Sequence, residues 1–494
     1  MSNNLSQQKD SEILNFIKGS FVLTVANIAL RGLSFFLLPL YTNRLSIEEM
    51  GISDLASTLI LFLFPVLQLG LDSAFSAFFF DKKTEEHQKT VFNTIWFTVF
   101  ATSLIPLIGC FFAEEISLAF LKTTDYASII VVALISVVIN LWFMPFPLWL
   151  RMKNQMTAFA TINFISSFVA ILANIVFVVY IKLGAMSLIA GTLVSNIVQL
   201  VLYYRFTRVK INYKYDDNGL RKQMLRYSIP LIPLHISTWF ISSADRRIIM
   251  YFLGVDQVGI YSIASRFSSV IAIFSGAISR AYTSFAFSKK GDADAKQQYA
   301  RILNVIYFFA FGVSFTLSLF GPEILHVMVD ASYHTAYLAL PGVLFGQVFY
   351  AVNTIVSYGI NFAKKTIYLL VSTVISAVIS VSLNIVLTPR YGILATGLVN
   401  LISHFVMCIL NYYFSQRLYP VNYRMMRIIS TALIGLAIVG LFVTKSLMIK
   451  LIVWLIVVII GSVIFPDATQ DIRKLILLVW NTLTQRFKKK RKEG

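Results

Sequence analysis

Runs of twenty or more apolar residues recur along almost the whole chain, and few folds can absorb that pattern. A helix needs ~20 residues, rising 1.5 Å each, to cross the hydrocarbon of a bilayer. Runs of about that length lie at 16–41, 52–79, 92–113, 128–150, 158–181, 184–205, 228–253, 257–286, 299–320, 335–361, 365–388, 391–415, 425–444 and 447–465. In hydrocarbon every backbone N–H and C=O must be satisfied within the protein. The expected fold is therefore an all-α polytopic membrane protein of about fourteen transmembrane helices. Composition agrees: 57% of the 494 residues are hydrophobic and 13% charged, against about a quarter charged in soluble domains. The polar start MSNNLSQQKDSE lacks the pattern of a cleaved signal, so the first run is expected to stay as a helix.

The net charge is +19. No basic soluble domain exists to carry nucleic acid, so no nucleic-acid partner is expected. Instead the cations sort by loop. With the N-terminus inside, the inner connections hold Lys82, Lys83, Lys89, Arg151, Lys153, Arg205, Arg208, Lys210, Lys289, Lys290, Lys364, Lys365, Arg417 and Arg424, among others. The outer ones hold fewer, including Arg44, Lys122, Lys182, Arg390, Lys445 and Lys450, with Glu48, Glu49, Glu114, Glu115, Glu323 and Asp330 beside them. That asymmetry places both termini in the cytoplasm, and the expected location is the inner membrane of a bacterium. Cys110 and Cys408 sit in or beside apolar runs with no metal-ligand or disulfide spacing, and read as packing residues.

The chain repeats itself. RLSIEEMGISDLAS (44–57) resembles FLGVDQVGIYSIAS (252–265), which pairs Gly51 with Gly259 at an offset of 208. The same offset aligns Lys18 with Arg226, Ser20 with Ser228, Lys182 with Arg390, Gly184 with Gly392, and GTLVSN (191–196) with VNLISH (399–404). Two parallel six-helix repeats related by an axis along the membrane normal are expected. The lobes would be 1–206 and 227–416, joined by a basic cytoplasmic linker at 207–226. Helices 13 and 14 (417–465) stand outside the repeat. A basic tail, 466–494, follows as an interfacial helix or a plain topology anchor.

Ionisable side chains within apolar runs are costly, and so mark candidate sites. They are Arg31, Asp54, Asp72, Asp245, Arg246, Arg247, Arg266 and Arg280, with His235 and His404 as further titratable groups. Cations outnumber acids here, which suits an anionic cargo, and the planar guanidinium binds phosphate oxygens bidentately. Ser262, Arg266, Ser269, Gly276 and Arg280 share one helical face. Arg266 and Arg280 would stand about 21 Å apart along the axis, as two stations for a phosphate, unless Arg280 merely snorkels to the interface. Arg246 and Arg247 point about 100° apart, so one of them is free to pair with an acid. Asp54, Asp72 and Asp245 are weak candidates for ion coupling. Asn196 and His404 belong to matched polar stripes (Thr192, Ser195, Asn196 and Gln199; Asn400, Ser403 and His404). These stripes either meet sugar hydroxyls or hydrogen-bond between helices. The spacing of Ser372, Ser376, Ser380 and Asn384 reads as close helix packing. No phosphate-binding Gly-Lys loop and no HExxH occurs, so neither an enzyme nor a cofactor is expected.

Five segments carry a family resemblance: LPLYTNRLSIEEMGISDLAS (38–57), LGLDSAFSAFFF (69–80), LRYSIPLIP (225–233), SADRRIIMYFLGVDQVGIYSIASRF (243–267) and RYGILATGLVNLIS (390–403). Through them the chain resembles the polysaccharide (Wzx-type) flippases of the multidrug/oligosaccharidyl-lipid/polysaccharide exporter superfamily. The resemblance implies two six-helix lobes around a central cavity and alternating access. It implies as cargo an undecaprenyl-pyrophosphate-linked oligosaccharide, moved from inner to outer leaflet for cell-surface polysaccharide such as O-antigen or capsule. Expected partners are that substrate, membrane lipids, and the polymerase and glycosyltransferases of the same pathway. The alternatives are a peptidoglycan-precursor flippase, whose first-helix pattern has more cations than Arg31 alone, a multidrug exporter, and a membrane-embedded polysaccharide polymerase.

Overall fold

A computed structural model of the protein describes residues 35–471 and 473, apart from 83, 210, 213–218, 290, 291 and 293, and without the side chains of 274, 277–281, 283, 284 and 287–289. All regular structure among them is helical. After a short turn at Leu38–Thr42 come α1 (Ile47–Leu67), α2 (Leu71–Phe78), α3 (Glu85–Leu121), α4 (Ala127–Met152), α5 (Met156–Ile181) and α6 (Gly184–Thr207). There follow α7 (Leu220–Ser228), α8 (Ile232–Ser242), α9 (Ala244–Leu253), α10 (Val255–Lys289), α11 (Ala295–Leu319) and α12 (Gly321–Met328). The last are α13 (Leu340–Phe362), α14 (Ile367–Leu418), α15 (Met425–Phe442) and α16 (Leu447–Ile464). Ten of these described helices are long and apolar enough to cross a membrane. The protein is an all-α, multi-pass membrane protein.

Several expected boundaries are corrected. The run 52–79 is not one helix: α1 stops where Leu69 and Gly70 take positive φ (55° and 66°), a conformation that ends a helix. The run 228–253 breaks at Ser243, whose φ is −144°. The run 335–361 starts late, because Ala331–Leu338 is a 3-10 segment. In contrast α1 begins on a complete capping box. Ser46 Oγ accepts from the Glu49 amide at 3.1 Å, and Glu49 Oε2 accepts from the Ser46 amide at 2.8 Å.

Some backbone features recur at positions 208 residues apart. Segment Ala113–Leu121 of α3 corresponds to α12, and α4 to α13. Gly184 opens α6 with φ 57°, and its mate Gly392 interrupts α14 with φ 63° and ψ −152°. A 52-residue α14 would otherwise run about 78 Å, far more than a bilayer; Gly392 makes it two helices. The repeats part company at Gly70, since the corresponding stretch of α10 stays helical.

The chain forms two compact units. The first comprises the described residues up to Ile263 together with Met328–Tyr333 and Thr388–Gly392. In its core Phe79 and Phe92 pack edge-to-face against Trp149, with ring centroids 5.5 Å and 5.7 Å away, and Phe146 packs on Phe92. Within it α1 crosses the start of α10 at the repeat glycines. A Cβ on Gly51 would strike the Val255 carbonyl oxygen, and one on Gly259 would strike the Ile47 carbonyl oxygen. Ile47 and Val255 are themselves repeat mates. The two contacts are thus reciprocal, as a local two-fold relation demands.

The second unit comprises the described residues of Ala264–Val327, His334–Leu387 and those from Ile393 on. Ser372, Ser376, Ser380 and Asn384 are each at most 2% exposed, so that small-residue face of α14 is packed against protein, as its spacing suggested. Here α15 and α16 dock on α11. Trp454 Nε1 donates to Thr316 Oγ1 at 2.9 Å, and Arg427 Nη1 to the Ile464 carbonyl at 3.0 Å. The outward face of α16 stays apolar: Ile452, Ile459 and Val463 are 56%, 61% and 75% exposed, a surface suited to lipid. Lys450 was expected in an outer loop but lies in the first turn of α16, 1% exposed, with Nζ 2.6 Å from Glu323 Oε1. Glu323 is 37% exposed. The pair is therefore asymmetric: Glu323→Gln strands a buried ammonium and is expected to cost about 3 kcal/mol. Lys450→Met, which leaves a carboxylate able to reach water, should cost under about 1 kcal/mol. Thermal unfolding of the two purified variants checks this, and equal losses would mean that the pair is not buried as described.

Candidate functional site

The break at Ser243 sets the geometry of the main polar cluster. Because helix restarts at Ala244, Asp245 sits in the first turn of α9, where Oδ1 accepts the Arg246 amide at 2.8 Å. Carboxylates are favoured at a helix start. Arg246 then reaches across to α1. Its Nε lies 2.5 Å from Asp54 Oδ2, and its Nη1 is 3.1 Å from Asp245 Oδ1 and 3.1 Å from the Ser242 carbonyl. Tyr261 of α10 completes the cluster by donating its hydroxyl to Asp245 Oδ2 at 2.6 Å. Asp245 is 3% exposed, and the side chains of Arg246 and Asp54 are 14% and 16% exposed. One guanidinium thus joins two carboxylates from two helices. Nearby, Trp239 Nε1 donates to the Thr58 carbonyl at 3.2 Å, which ties α8 to α1 as Arg246 ties α9 to α1. The sequence singled out Asp54, Asp245 and Arg246 but not Tyr261, whose hydroxyl carries no sequence signal of its role.

Arg247 points elsewhere, as its 100° offset requires. Its Nη2 donates to the Ala119 carbonyl at 2.5 Å and its guanidinium lies 5.5 Å from the Phe120 ring centroid. Its Nη1 is buried with no hydrogen-bond partner among the described residues. Close by in sequence, Lys122 donates to the Tyr251 carbonyl at 2.8 Å. Asp72, at the start of α2, has Oδ1 buried without a partner among the described residues.

The polar stripe of α6 serves mostly helix packing. Ser195 Oγ donates to the Ser166 carbonyl at 2.8 Å, and Gln199 meets Asn163 at 3.4 Å. Asn196 is 8% exposed, and its Nδ2 has no partner among the described residues. In the second unit His404 is 4% exposed, with Nδ1 2.9 Å from the Asn400 carbonyl and the ring edge-on to Tyr350. Asn411 donates to Asn353 at 2.9 Å. Arg266 belongs to the second unit and is half-buried. Arg31 and the side chain of Arg280 lie outside the described residues. No group of three or more His, Cys, Asp or Glu among the described residues is placed to hold a metal ion.

Similarity to known proteins follows the same lines. The sequence model described as polysaccharide biosynthesis protein matches residues 16–283, more than half of the chain. The MatE model matches residues 230–386. The succinoglycan biosynthesis transport protein ExoT of Rhizobium meliloti (strain 1021) is 25% identical over 240 residues, which cover 48% of this chain and 47% of ExoT. The uncharacterized membrane protein MJ1375 of Methanocaldococcus jannaschii is 27% identical over 247 residues, covering 46% of this chain and 58% of that one. The chain thus spans about half the length of the curated relatives it matches. Among solved structures, the lipid II flippase MurJ in an inward closed conformation superposes with a TM-score of 0.68, covering 94% of this chain and 100% of MurJ at 17% identity. An inward-facing multidrug resistance MATE family transporter gives 0.60, with 82% and 96% covered at 14% identity. At these identities the likeness is one of fold.

Proposed function

This chain belongs to the polysaccharide biosynthesis protein family, and we propose that it is a flippase carrying an undecaprenyl-pyrophosphate-linked oligosaccharide from the inner to the outer leaflet of the cytoplasmic membrane by alternating access. Family membership carries this reading. Support comes from the relative named as a succinoglycan transport protein and from the excess of arginine over acid in the apolar runs. In this reading both termini are cytoplasmic, the repeats 1–206 and 227–416 are the moving lobes, and 417–465 is an accessory helix pair. The protein is a transporter and not an enzyme. A pyrophosphate desolvated without a partner costs of order tens of kcal/mol, so arginines must stand in for its lost water.

The arginines divide by role. Arg246 is committed to two carboxylates and holds α1 and α9 together. Arg247 keeps a guanidinium nitrogen without a partner among the described residues and is the better anion ligand. Arg31 and Arg266 complete the cargo-binding set, and Asp54, Asp245 and Asp72 are the groups to examine for ion coupling. Arg247→Ala is expected to reduce glycan export at least tenfold while the purified protein keeps its unfolding temperature. Arg247→Lys should recover only part, since the point charge stays and the bidentate fork is lost. Export is read by complementing a strain deleted for its own flippase. Wild-type export from Arg31→Ala, Arg247→Ala and Arg266→Ala proteins, each inserted at normal level, would show that these arginines are structural.

A further inference from the structure

The second unit holds a cavity of about 820 Å³ at the end of the bundle where α11 begins, α14 ends and α15 begins. That is within the size range of small-ligand sites. Its walls are shaped before any ligand arrives. Gln416 clamps the connection after α14 through both amide atoms: Nε2 donates to the Val421 carbonyl at 2.6 Å, and Oε1 accepts from the Val421 amide at 3.0 Å. The Tyr423 amide turns back to the Val421 carbonyl at 2.9 Å. Arg424 is held with φ 48°, a conformation uncommon for a residue with a side chain. Tyr423, 3% exposed, forms part of the lining with Tyr412 beside it.

The charges around this cavity favour an anion. Lys296, Arg301 and Arg424 line it with the amides of Asn304 and Asn422, and Asp467 is the acid among the lining residues. Arg301 is already matched by Asp471. Lys296, 5.1 Å from the Tyr419 ring centroid, and the exposed Arg424 therefore outweigh Asp467. α15 starts at the cavity without a side-chain cap hydrogen bond, and its start carries about half a positive charge, whereas the start of α11 has the carboxylate of Asp294 at its N-cap position. The end of α14 opposes with about half a negative charge, too little to reverse the sum. Tyrosines and cations at the end of apolar helices are the furniture of the headgroup layer.

We propose that this cavity binds a phosphate-bearing ligand, either the headgroup of an anionic phospholipid or a soluble phosphate ester, at a site separate from the cargo arginines. Lys296 and Arg424 contact the phosphate, and the amides of Asn304 and Asn422 contact the polar group it carries. The test uses the purified full-length protein in a neutral detergent, titrated with dihexanoyl phosphatidylglycerol, glycerol 3-phosphate or dihexanoyl phosphatidylcholine, with the unfolding temperature as readout. Phosphatidylglycerol should stabilise the protein saturably and phosphatidylcholine should not. If glycerol 3-phosphate matches phosphatidylglycerol the ligand is a soluble phosphate ester; if it is much weaker the ligand is a lipid. The variant Lys296→Gln/Arg424→Gln should bind at least tenfold more weakly while unfolding at the wild-type temperature without ligand, since both side chains are exposed. Asp467→Asn should bind more tightly. Equal stabilisation by the anionic and zwitterionic lipids, no stabilisation by either phosphate compound, or unchanged affinity in the double variant would each overturn the proposal.

Discussion

Arg246→Ala is expected to cost about 3–5 kcal/mol of stability, because it leaves two carboxylates in a buried site with nothing to balance them. Asp54 and Asp245 both accept from this one guanidinium, and Tyr261 satisfies only the far oxygen of Asp245. The loss should therefore appear as a lower unfolding temperature and poor recovery from the membrane, not as an isolated transport defect. A second variant separates charge from packing. Combining Arg246→Gln with Asp54→Asn and Asp245→Asn keeps similar volumes and removes the charges together, so it should recover most of the stability. If Arg246→Ala unfolds at the wild-type temperature, the cluster does not hold α1 to α9. If the triple variant is as unstable as Arg246→Ala, shape and not charge balance explains the loss.

An equally large effect is expected at the crossing of α1 and α10. A methyl group on Gly259 meets a backbone carbonyl oxygen, that of Ile47, and one on Gly51 meets that of Val255. A flexible side chain can swing away from such an intrusion; a backbone carbonyl inside a helix cannot. Overpacking typically costs 1–3 kcal/mol, occasionally more, and here about 3 kcal/mol or more is expected for either glycine changed to alanine. Gly312→Ala is the control. It lies within α11 with nothing within 4 Å of the added atom, so it should stabilise by about 0.5–1 kcal/mol through helix propensity. Unfolding temperatures of the three variants decide the matter. Tolerance of Gly51→Ala and Gly259→Ala at the level of the control would mean that the helices do not approach as closely as described.

These two expectations draw on different kinds of information. Gly51 and Gly259 were paired by sequence alone, through the 208-residue offset, and the structure added the unforeseen fact that the mates touch in reciprocal fashion. The Asp54–Arg246 pair was only half legible. The sequence marked both residues as costly in an apolar run, and the helical angle showed that Arg246 and Arg247 part company. Nothing in it joined Arg246 to a carboxylate 192 positions away. Likewise Lys450 read as a loop cation at the outer surface, whereas it is buried against Glu323, 127 positions distant.

The sequence by itself determined the solvent and the fold class and pointed to a repeat, because those are properties of runs and periods. Twenty apolar residues in succession demand lipid, and an offset that recurs at separated places points to duplication. The choice among roles for each polar residue was decided only by tertiary structure. Ser195 and Gln199 turned out to tie α6 to α5, and Arg246 turned out to be spent on two acids while Arg247 turned to the Ala119 carbonyl. The helix breaks at Gly70 and Ser243 were decided at the same level. The physical reason is common to all of them: a polar group in hydrocarbon must find a partner, and the partner is set by which helix faces lie side by side, which sequence spacing along one helix does not record.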